Sequence, residues 1–164
     1  MPDTAPPAGA DWQKNIMAFR RSGANWLAEP AFTYQYKQSI LSFGHSNLFG
    51  ASVAVSDDGR FIAAGDIFNT AAGTGALRAP STTGTSTRNG AVTVFERKTS
   101  NWELRTLLKP NVQEQYGLFG NTVAFGDNNR SLAVGQVENS SNARDIDGDQ
   151  TNLSAPYSGA LWLY

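Results

Sequence analysis

Two stretches of this chain are close copies of each other. FGASVAVSDDGRFIAAG, at 49–65, returns 70 residues later as FGNTVAFGDNNRSLAVG, at 119–135, with 8 of the 17 positions identical. Each copy has two short apolar runs around a turn rich in Asp, Asn and Gly, which is typical of a β-hairpin. A recurrence of this kind predicts copies of one supersecondary unit that stack against each other.

Further strand-length segments extend each copy of the hairpin. GAVTVFERKTSNWELRTLLKP follows the first copy, and SGALWLY follows the second. In the early stretch IMAFRRSGANW, Phe19 and Trp26 have the same spacing as Phe95 and Trp102. Four strand segments per unit predict an all-β fold of four-stranded antiparallel blades, since no segment shows the apolar spacing of a helix.

The polarity of these segments indicates that their sheets stack on one another. SVAV, FIAAG, TVAF and LAVG are apolar on both faces, as in a strand covered by neighbouring sheets. WELRTLL begins with alternating apolar and polar residues, as in an outer strand with one wet face. Radial stacking of such sheets is a β-propeller, of which this chain holds about two and a quarter blades.

The units divide the chain into four parts. We predict a flexible leader at 1–15, the last two strands of a preceding blade at 16–38, a complete repeat at 39–110 and a repeat without its last strand at 111–164. Closed propellers have roughly four to eight blades. The chain is therefore expected to be a fragment, to close by self-association, or to pair its ends unusually.

The repeat resembles the FG-GAP repeat of integrin α-chain propellers, and more closely the tandem integrin-like repeats of bacterial surface and secreted proteins. The resemblance covers residues 16–164 and rests on positions that recur in register. We expect these positions to be structural: Phe19, Trp26, Phe49, Gly50, Gly65, Phe95, Trp102, Phe119, Gly120 and Gly135.

The resemblance implies a propeller segment of a larger, non-catalytic protein that works in adhesion or recognition outside the cytoplasm. It implies protein or glycan partners and an extracellular or cell-surface location, while the start MPDTAPPAGADW shows no signal-peptide pattern. Family members that bind calcium use an acidic loop between the first two strands. That loop is reduced here to SDDGR and GDNNR, so calcium is not expected there.

Charge and composition exclude several classes of partner. The formal net charge is −1 and the basic residues are scattered, so no positive field attracts nucleic acid or anionic lipid. No apolar stretch approaches the ~20 residues that span a bilayer. Because cysteine is absent, thiol catalysis and thiolate zinc sites are excluded. The partners that stay open include a second copy of this chain and further blades of a longer chain.

One acidic segment is a candidate calcium site. In NARDIDGDQTN, Asp145, Asp147 and Asp149 alternate along the chain with Gly148 between two of them. Such spacing can turn several carboxylates and carbonyls toward one hard cation. The segment lacks the distal Glu of an EF-hand loop, and a solvated turn is the alternative interpretation. Calcium is the one cofactor that we consider.

Catalysis has a single candidate among the residue types present. His45 is the only histidine and lies near Ser42 and Ser46, but neither serine sits in a nucleophile elbow. The matching place in the second copy, EQYG, has no histidine. We therefore expect no catalytic residue and assign His45 to a surface loop or a packed edge.

The tryptophans and one long loop are the remaining candidates for ligand contact. Tryptophan can stack on sugar rings, but the recurrence of Trp26 and Trp102 at one repeat position favours packing. Trp12 is a further tryptophan that could stack in this way, and the exposure of Trp162 stays open. The small, polar run at 70–90 is either a binding loop or a flexible insertion.

These observations favour a non-catalytic binding or adhesion module of the propeller type, which contacts a protein or glycan through its loops. A structural unit that assembles with its own copies is one alternative. A propeller enzyme with an active site in its channel is a less favoured alternative, because SVAV and TVAF contain no titratable residue.

Overall fold

The structure is a computed structural model that describes residues 15–29, 32–33, 48–78, 88–99, 101–126 and 128–164. Within these ranges the chain forms strands, turns and loops and no helix, which confirms the all-β prediction. Since the described part has no helix, it has none that is long and apolar enough to cross a membrane.

The strands of the described ranges are numbered in chain order. They are β1 Asn15–Ile16, β2 Phe19–Ser22, β3 Asn25–Ala28, β4 Phe32–Thr33, β5 Phe49–Val55, β6 Phe61–Asp66, β7 Gly75–Leu77, β8 Ala91–Arg97, β9 Trp102–Lys109, β10 Phe119–Gly126, β11 Ser131–Gln136 and β12 Ala160–Leu163.

The largest sheet, here called the central sheet, has the strand order β5-β6-β8-β9-β7, and all its pairs are antiparallel. Four of its strands form the meander expected from the sequence. The fifth, β7, lies in the segment that we treated as a loop or an insertion. It pairs with Leu107–Lys109 of β9 and so covers backbone groups that an open edge would leave unpaired.

The second sheet, here called the C-terminal sheet, has the order β10-β11-β12 and repeats the geometry of the central sheet. Gly135 pairs with Leu161 as Gly65 pairs with Val92. In both sheets the ladder of the first two strands is interrupted by a register shift just after the Phe-Gly pair. The two related sequences therefore build one structural unit twice.

The tight turns of the two hairpins use the residues expected from the sequence. Gly59 has a φ of 66°, and Asn128 and Asn129 have φ values of 51° and 67°. Glycine and asparagine are the residues that adopt this left-handed conformation most readily. The turn chemistry thus permits both hairpins to close tightly.

Strands β1 to β4, here called the N-terminal strands, form two short ladders, β1-β4 and β2-β3. Their register is that of β8 and β9. Arg21 pairs with Trp26 as Arg97 pairs with Trp102. Likewise Ile16 of β1 pairs with Phe32 of β4, as Val92 of β8 pairs with Leu108 of β9. The N-terminal strands therefore repeat the third and fourth strands of the meander.

In each unit we call the face that bears Phe95 or its equivalent the proximal face, and the face that bears Val92 or its equivalent the distal face. The distal face of the central sheet packs against the proximal face of the C-terminal sheet. Their shared core contains Ala63, Val92, Val94 and Leu108 from the first sheet and Phe119, Leu132, Val134 and Trp162 from the second. This interface is the main hydrophobic core of the described residues.

The proximal face of the central sheet packs against the N-terminal strands. Ile16 contacts the cluster of Ile62, Ala64 and Phe95. Glu29 completes this interface, because its carboxylate accepts a hydrogen bond of 2.9 Å from the Trp102 indole and pairs with Arg97. A charged side chain thus joins the N-terminal strands to β8 and β9.

The predicted burial on both faces is found for β6 but not for β5. Residues 62–66 of β6 are all buried, whereas Val53 and Val55 of β5 are exposed. Val53 and Val55 pair with Ala64 and Ile62, so both valines lie on the proximal face, and the core that Ile16 forms on that face does not include them. Their counterparts in β10, Val123 and Phe125, are partly buried because they pack against the core shared by the two sheets. The prediction of a wet outer face on β9 is confirmed, because Glu103 and Arg105 are exposed.

The two sheets approach most closely at the corner formed by Phe119 and Gly120. Phe119 is fully buried, and its backbone N–H donates to the Asn89 carbonyl at 3.0 Å. Gly120 has a φ of 88°. Its carbonyl oxygen accepts a hydrogen bond of 2.7 Å from the Ser52 hydroxyl and would lie 2.0 Å from a Cβ atom placed on Gly65.

The close contact at Gly65 has a matched control in the second unit. We expect Gly65→Ala to lower the free energy of unfolding by about 2–3 kcal/mol, because the new methyl group meets a backbone carbonyl that cannot move without separating the sheets. At Gly135 a Cβ atom would instead meet the Thr122 hydroxyl, at 2.3 Å. That hydroxyl can rotate away, so Gly135→Ala is expected to cost about 1 kcal/mol or less.

Chemical denaturation of the two variants and the unchanged protein measures both values. Equal losses for Gly65→Ala and Gly135→Ala would show that the sheets do not depend on the close approach at Gly65.

Candidate functional site

Two asparagines occupy equivalent buried places where a long loop leaves the second strand of each unit. The side-chain oxygen of Asn69 accepts from the Ala71 N–H at 2.9 Å, and that of Asn139 accepts from the Ser141 N–H at 2.9 Å. Their backbone carbonyls accept from the N–H groups of Gly90 and Gly159. These bonds hold the two ends of each long loop together, a role that the sequence analysis missed although the asparagines recur at the same 70-residue offset.

A lysine is fully buried between the loop ends of the first unit. The Lys109 ammonium group donates to the Asn89 side-chain oxygen at 2.5 Å and to the Gly90 carbonyl at 2.7 Å. Burial lowers the pKa of Lys109 to about 7, an effect that the charge of Asp66 opposes. Lysine is rarely buried without partners, and here it ties β9 to the start of β8. The sequence analysis did not single it out.

The buried lysine makes stability depend on pH. Between pH 7 and pH 10 the unfolded chain binds more protons at this position than the folded chain does, so the free energy of unfolding is expected to rise with pH, by at most about 1.4 kcal/mol per pH unit. Above pH 10 Tyr164 opposes the rise, because burial raises the pKa of its hydroxyl to about 12.

Denaturation curves at several pH values between 7 and 10 test this expectation. Lys109→Met should flatten the rise, whereas Lys98→Met, which changes an exposed lysine, should leave the slope unchanged. A slope that persists in Lys109→Met would contradict the assignment.

Charged residues line a shallow depression at the hairpin ends of the central sheet. The Glu96 carboxylate accepts from Lys98 at 2.8 Å and from Arg60 at 2.6 Å. These two hydrogen bonds hold the pKa of Glu96 at about 2. The Asp58 carboxylate accepts from the Ser56 hydroxyl and the Arg60 N–H, which lowers its pKa. The local contacts of these charged groups close the two hairpins.

The acidic segment lies in an exposed turn of the loop between β11 and β12. The Asp149 carboxylate accepts from the N–H and the hydroxyl of Thr151, which lowers its pKa. The Asp145 carbonyl accepts from Gly148, and Asp147 has a φ of 59°. In the described ranges no group of three or more His, Asp or Glu side chains lies close enough to hold a metal ion. The calcium site stays a prediction.

Thermal denaturation tests the calcium prediction directly. Millimolar calcium should raise Tm if the segment binds the ion, and Asp147→Ala should abolish the increase. Asp58→Ala is the matched control, since Asp58 also lies in an exposed turn but outside the segment. A Tm that does not respond to calcium would end the prediction.

The same loop, at 137–159, is held in a defined conformation by its own backbone. Asn142 donates to the Asn152 carbonyl at 3.0 Å, and Ala155 donates to the Ser140 carbonyl at 3.0 Å. The loop nevertheless exposes large apolar side chains, among them Ile146 at 93% and Tyr157 at 75%. These exposed apolar side chains are candidates for contact with a partner.

The segment before β10 adds to this surface. Its Glu114 carboxylate accepts from the Ser140 N–H at 2.8 Å, and its Gly117 carbonyl accepts from the Glu138 N–H at 3.3 Å. Tyr116, which lies in this segment, is exposed and has a φ of 62°. We call the exposed apolar residues of the two segments the loop surface: Tyr116, Val137, Ile146, Leu153 and Tyr157.

The tryptophans differ in their environments. Trp162 is buried; its indole donates to the Gln136 side-chain oxygen at 2.9 Å, and its ring lies edge-on to Phe119. Trp102 is half-buried against the N-terminal strands, whereas Trp26 is exposed. Packing therefore accounts for Trp162 and Trp102, and the expected packing of Trp26 is not found within the described residues.

Several sequence candidates lie outside the described residues. These are Trp12, His45 and its neighbours Ser42 and Ser46. The loop surface, by contrast, was not predicted, because exposed apolar residues in a long loop have no periodic signature. Its only signal in the sequence is the presence of Ile146, Leu153 and Tyr157 in a polar segment.

Comparison of the chain with protein-family models found no match, and comparison with curated proteins found none either.

Proposed function

We propose that this protein is a non-catalytic binding module of the propeller type, which contacts a protein or glycan ligand through the loop surface. The observation that carries the proposal is the loop at 137–159, which is held by backbone hydrogen bonds and yet exposes Ile146 and Tyr157. A preformed surface of this kind lowers the conformational cost of binding.

The chemistry of the loop surface fits the proposed ligands. Tyrosine offers a rigid ring and a hydroxyl, and therefore suits both protein partners and the apolar faces of sugar rings. Asp145, Asp147 and Asp149 lie beside Ile146 along the chain and are exposed, so an apolar contact would have a polar rim. Interfaces commonly combine these two features.

The scaffold residues recur in both units whereas the loop sequences differ, and this difference supports the same function. The asparagines, glycines and the Phe-Gly corner recur in both units and hold backbone in place, whereas the loops at 67–90 and 137–159 differ in sequence. Variable loops on a rigid scaffold are where binding residues concentrate. The meander of the central sheet and its stacking on a second, equivalent sheet are what a propeller blade requires.

A catalytic role has less support. Strands β5 and β10, the expected inner strands, carry no titratable side chain, and the charged groups at the hairpin ends are engaged with one another. The resemblance to integrin-like repeats adds to the proposal a place outside the cytoplasm and a role in adhesion.

A glycan array and a protein interaction screen with the full chain test the proposal. A ligand found in either is expected to bind the double variant Ile146→Ser/Tyr157→Asn at least tenfold more weakly. Asparagine is chosen at 157 because it tolerates the φ of 60° found there.

The double variant Val53→Ser/Val55→Ser is the matched control, because it removes two exposed apolar side chains of β5 far from the loop in sequence. Equal binding by both variants and the unchanged protein would place the ligand elsewhere, and a well-folded chain without any ligand would contradict the proposal.

A further inference from the structure

The described part of the molecule is a stack in which the same type of interface occurs twice. In the first interface, Ile16 of the N-terminal strands packs on the proximal face of the central sheet, at Phe95. In the second, Val92 and Val94 of the central sheet pack on the proximal face of the C-terminal sheet, at Val134 and Trp162. Because Ile16 and Val92 have equivalent registers, each interface joins a distal face to a proximal face.

The distal face of the C-terminal sheet has the residues for a third interface but is uncovered. Leu161 pairs with Gly135, and Leu163 pairs with Ala133, in the same positions as Val92 and Val94 in the central sheet. Val92 is fully buried, whereas Leu161 is 70% exposed and Leu163 is 71% exposed. Two adjacent leucines on a strand are thus left in water where their counterparts form the core.

The distal face of the C-terminal sheet has a glycine, Gly135, at the place where Gly65 lets the neighbouring sheet approach the central sheet. A Cβ atom at Gly65 would meet both the Ser52 hydroxyl and the Gly120 carbonyl of the neighbouring sheet, whereas a Cβ atom at Gly135 would meet only Thr122 of its own sheet. The space that Gly120 fills beside Gly65 has no described occupant beside Gly135. The geometry for close approach is therefore present on the open face.

The opposite end of the stack is an uncovered proximal face. On the N-terminal strands, Phe19 and Trp26 occupy the places of Phe95 and Trp102. Phe95 is buried under Ile16, whereas Phe19 is 53% exposed and Trp26 is 68% exposed. Among the described residues, no distal face covers this aromatic face as Ile16 covers its counterpart in the central sheet.

We propose that the two ends bind each other between copies of this chain. The distal face of the C-terminal sheet, with Leu161 and Leu163, packs on Phe19 and Trp26 of a second copy. The same kind of contact already exists within one molecule, where Ile16 and Phe95 belong to one core. Leu161 is the counterpart of Ile16, and Phe19 is the counterpart of Phe95. The interface continues the stack from one copy into the next.

This interface is head-to-tail, because each copy contributes two different surfaces. Heterologous contacts build a closed ring when the rotation between copies closes, and an open filament when it does not. The proposal is independent of ligand binding.

Complementation between two variants tests the proposal on the full chain. Leu161→Glu/Leu163→Glu blocks the distal face, and Phe19→Glu/Trp26→Glu blocks the aromatic face. Light scattering and sedimentation velocity are expected to give masses above 17.6 kDa for the unchanged protein, rising with concentration, and monomers for each variant alone. In an equal mixture, the intact aromatic face of the first variant can still bind the intact distal face of the second. The mixture should therefore form a dimer that does not grow, because its two outer faces are blocked.

Three outcomes would overturn the proposal: a monomeric unchanged protein at millimolar concentration, self-association of either variant, or a mixture that stays monomeric. Ile146→Glu/Leu153→Glu is the control, since it introduces the same charges on the loop surface and should assemble like the unchanged protein. Loss of assembly in this control would place the interface on the loops instead. Circular dichroism verifies that all variants keep their strands.

Discussion

The seating of the Phe119–Gly120 corner against Gly65 is the contact on which the rest of the structure depends. Because Gly65 has no side chain, the Gly120 carbonyl occupies the space that a Cβ atom would need, and the two sheets come close enough for Val92 and Val134 to belong to one core. The Ser52 hydroxyl satisfies that buried carbonyl, so close approach leaves no polar group unpaired at this point. Burial of Phe119 then adds its apolar surface to the same contact.

Buried polar residues fix the ends of the loops in place. Asn69 and Asn139 hold the ends of the two long loops, and Lys109 joins β9 to the start of β8. A loop with anchored ends can expose apolar side chains without collapsing onto the core. The proposed binding function therefore depends on the polar framework as much as on Ile146 and Tyr157, which would make the contact.

The stacked architecture has a physical consequence at its two ends. A sheet with two apolar faces must be covered on both, and within the described residues only β6 and β8 of the central sheet have buried residues in the cores on both faces. Leu161 at one end and Phe19 at the other are exposed, whereas their counterparts in the central sheet, Val92 and Phe95, are buried. Pairing of these ends between copies would cover both by repeating a contact that the chain already makes.

The sequence by itself determined the strands of the meander, the hairpin turns at Gly59 and Asn128–Asn129, and the equivalence of the two units, because these follow from neighbouring residues and their period. Only the tertiary structure decided that Lys109 is buried, that Trp162 faces the core while Trp26 faces water, and that β7 pairs with β9. These outcomes depend on which sheet packs on which face, and the residues that make those contacts are far apart in the sequence.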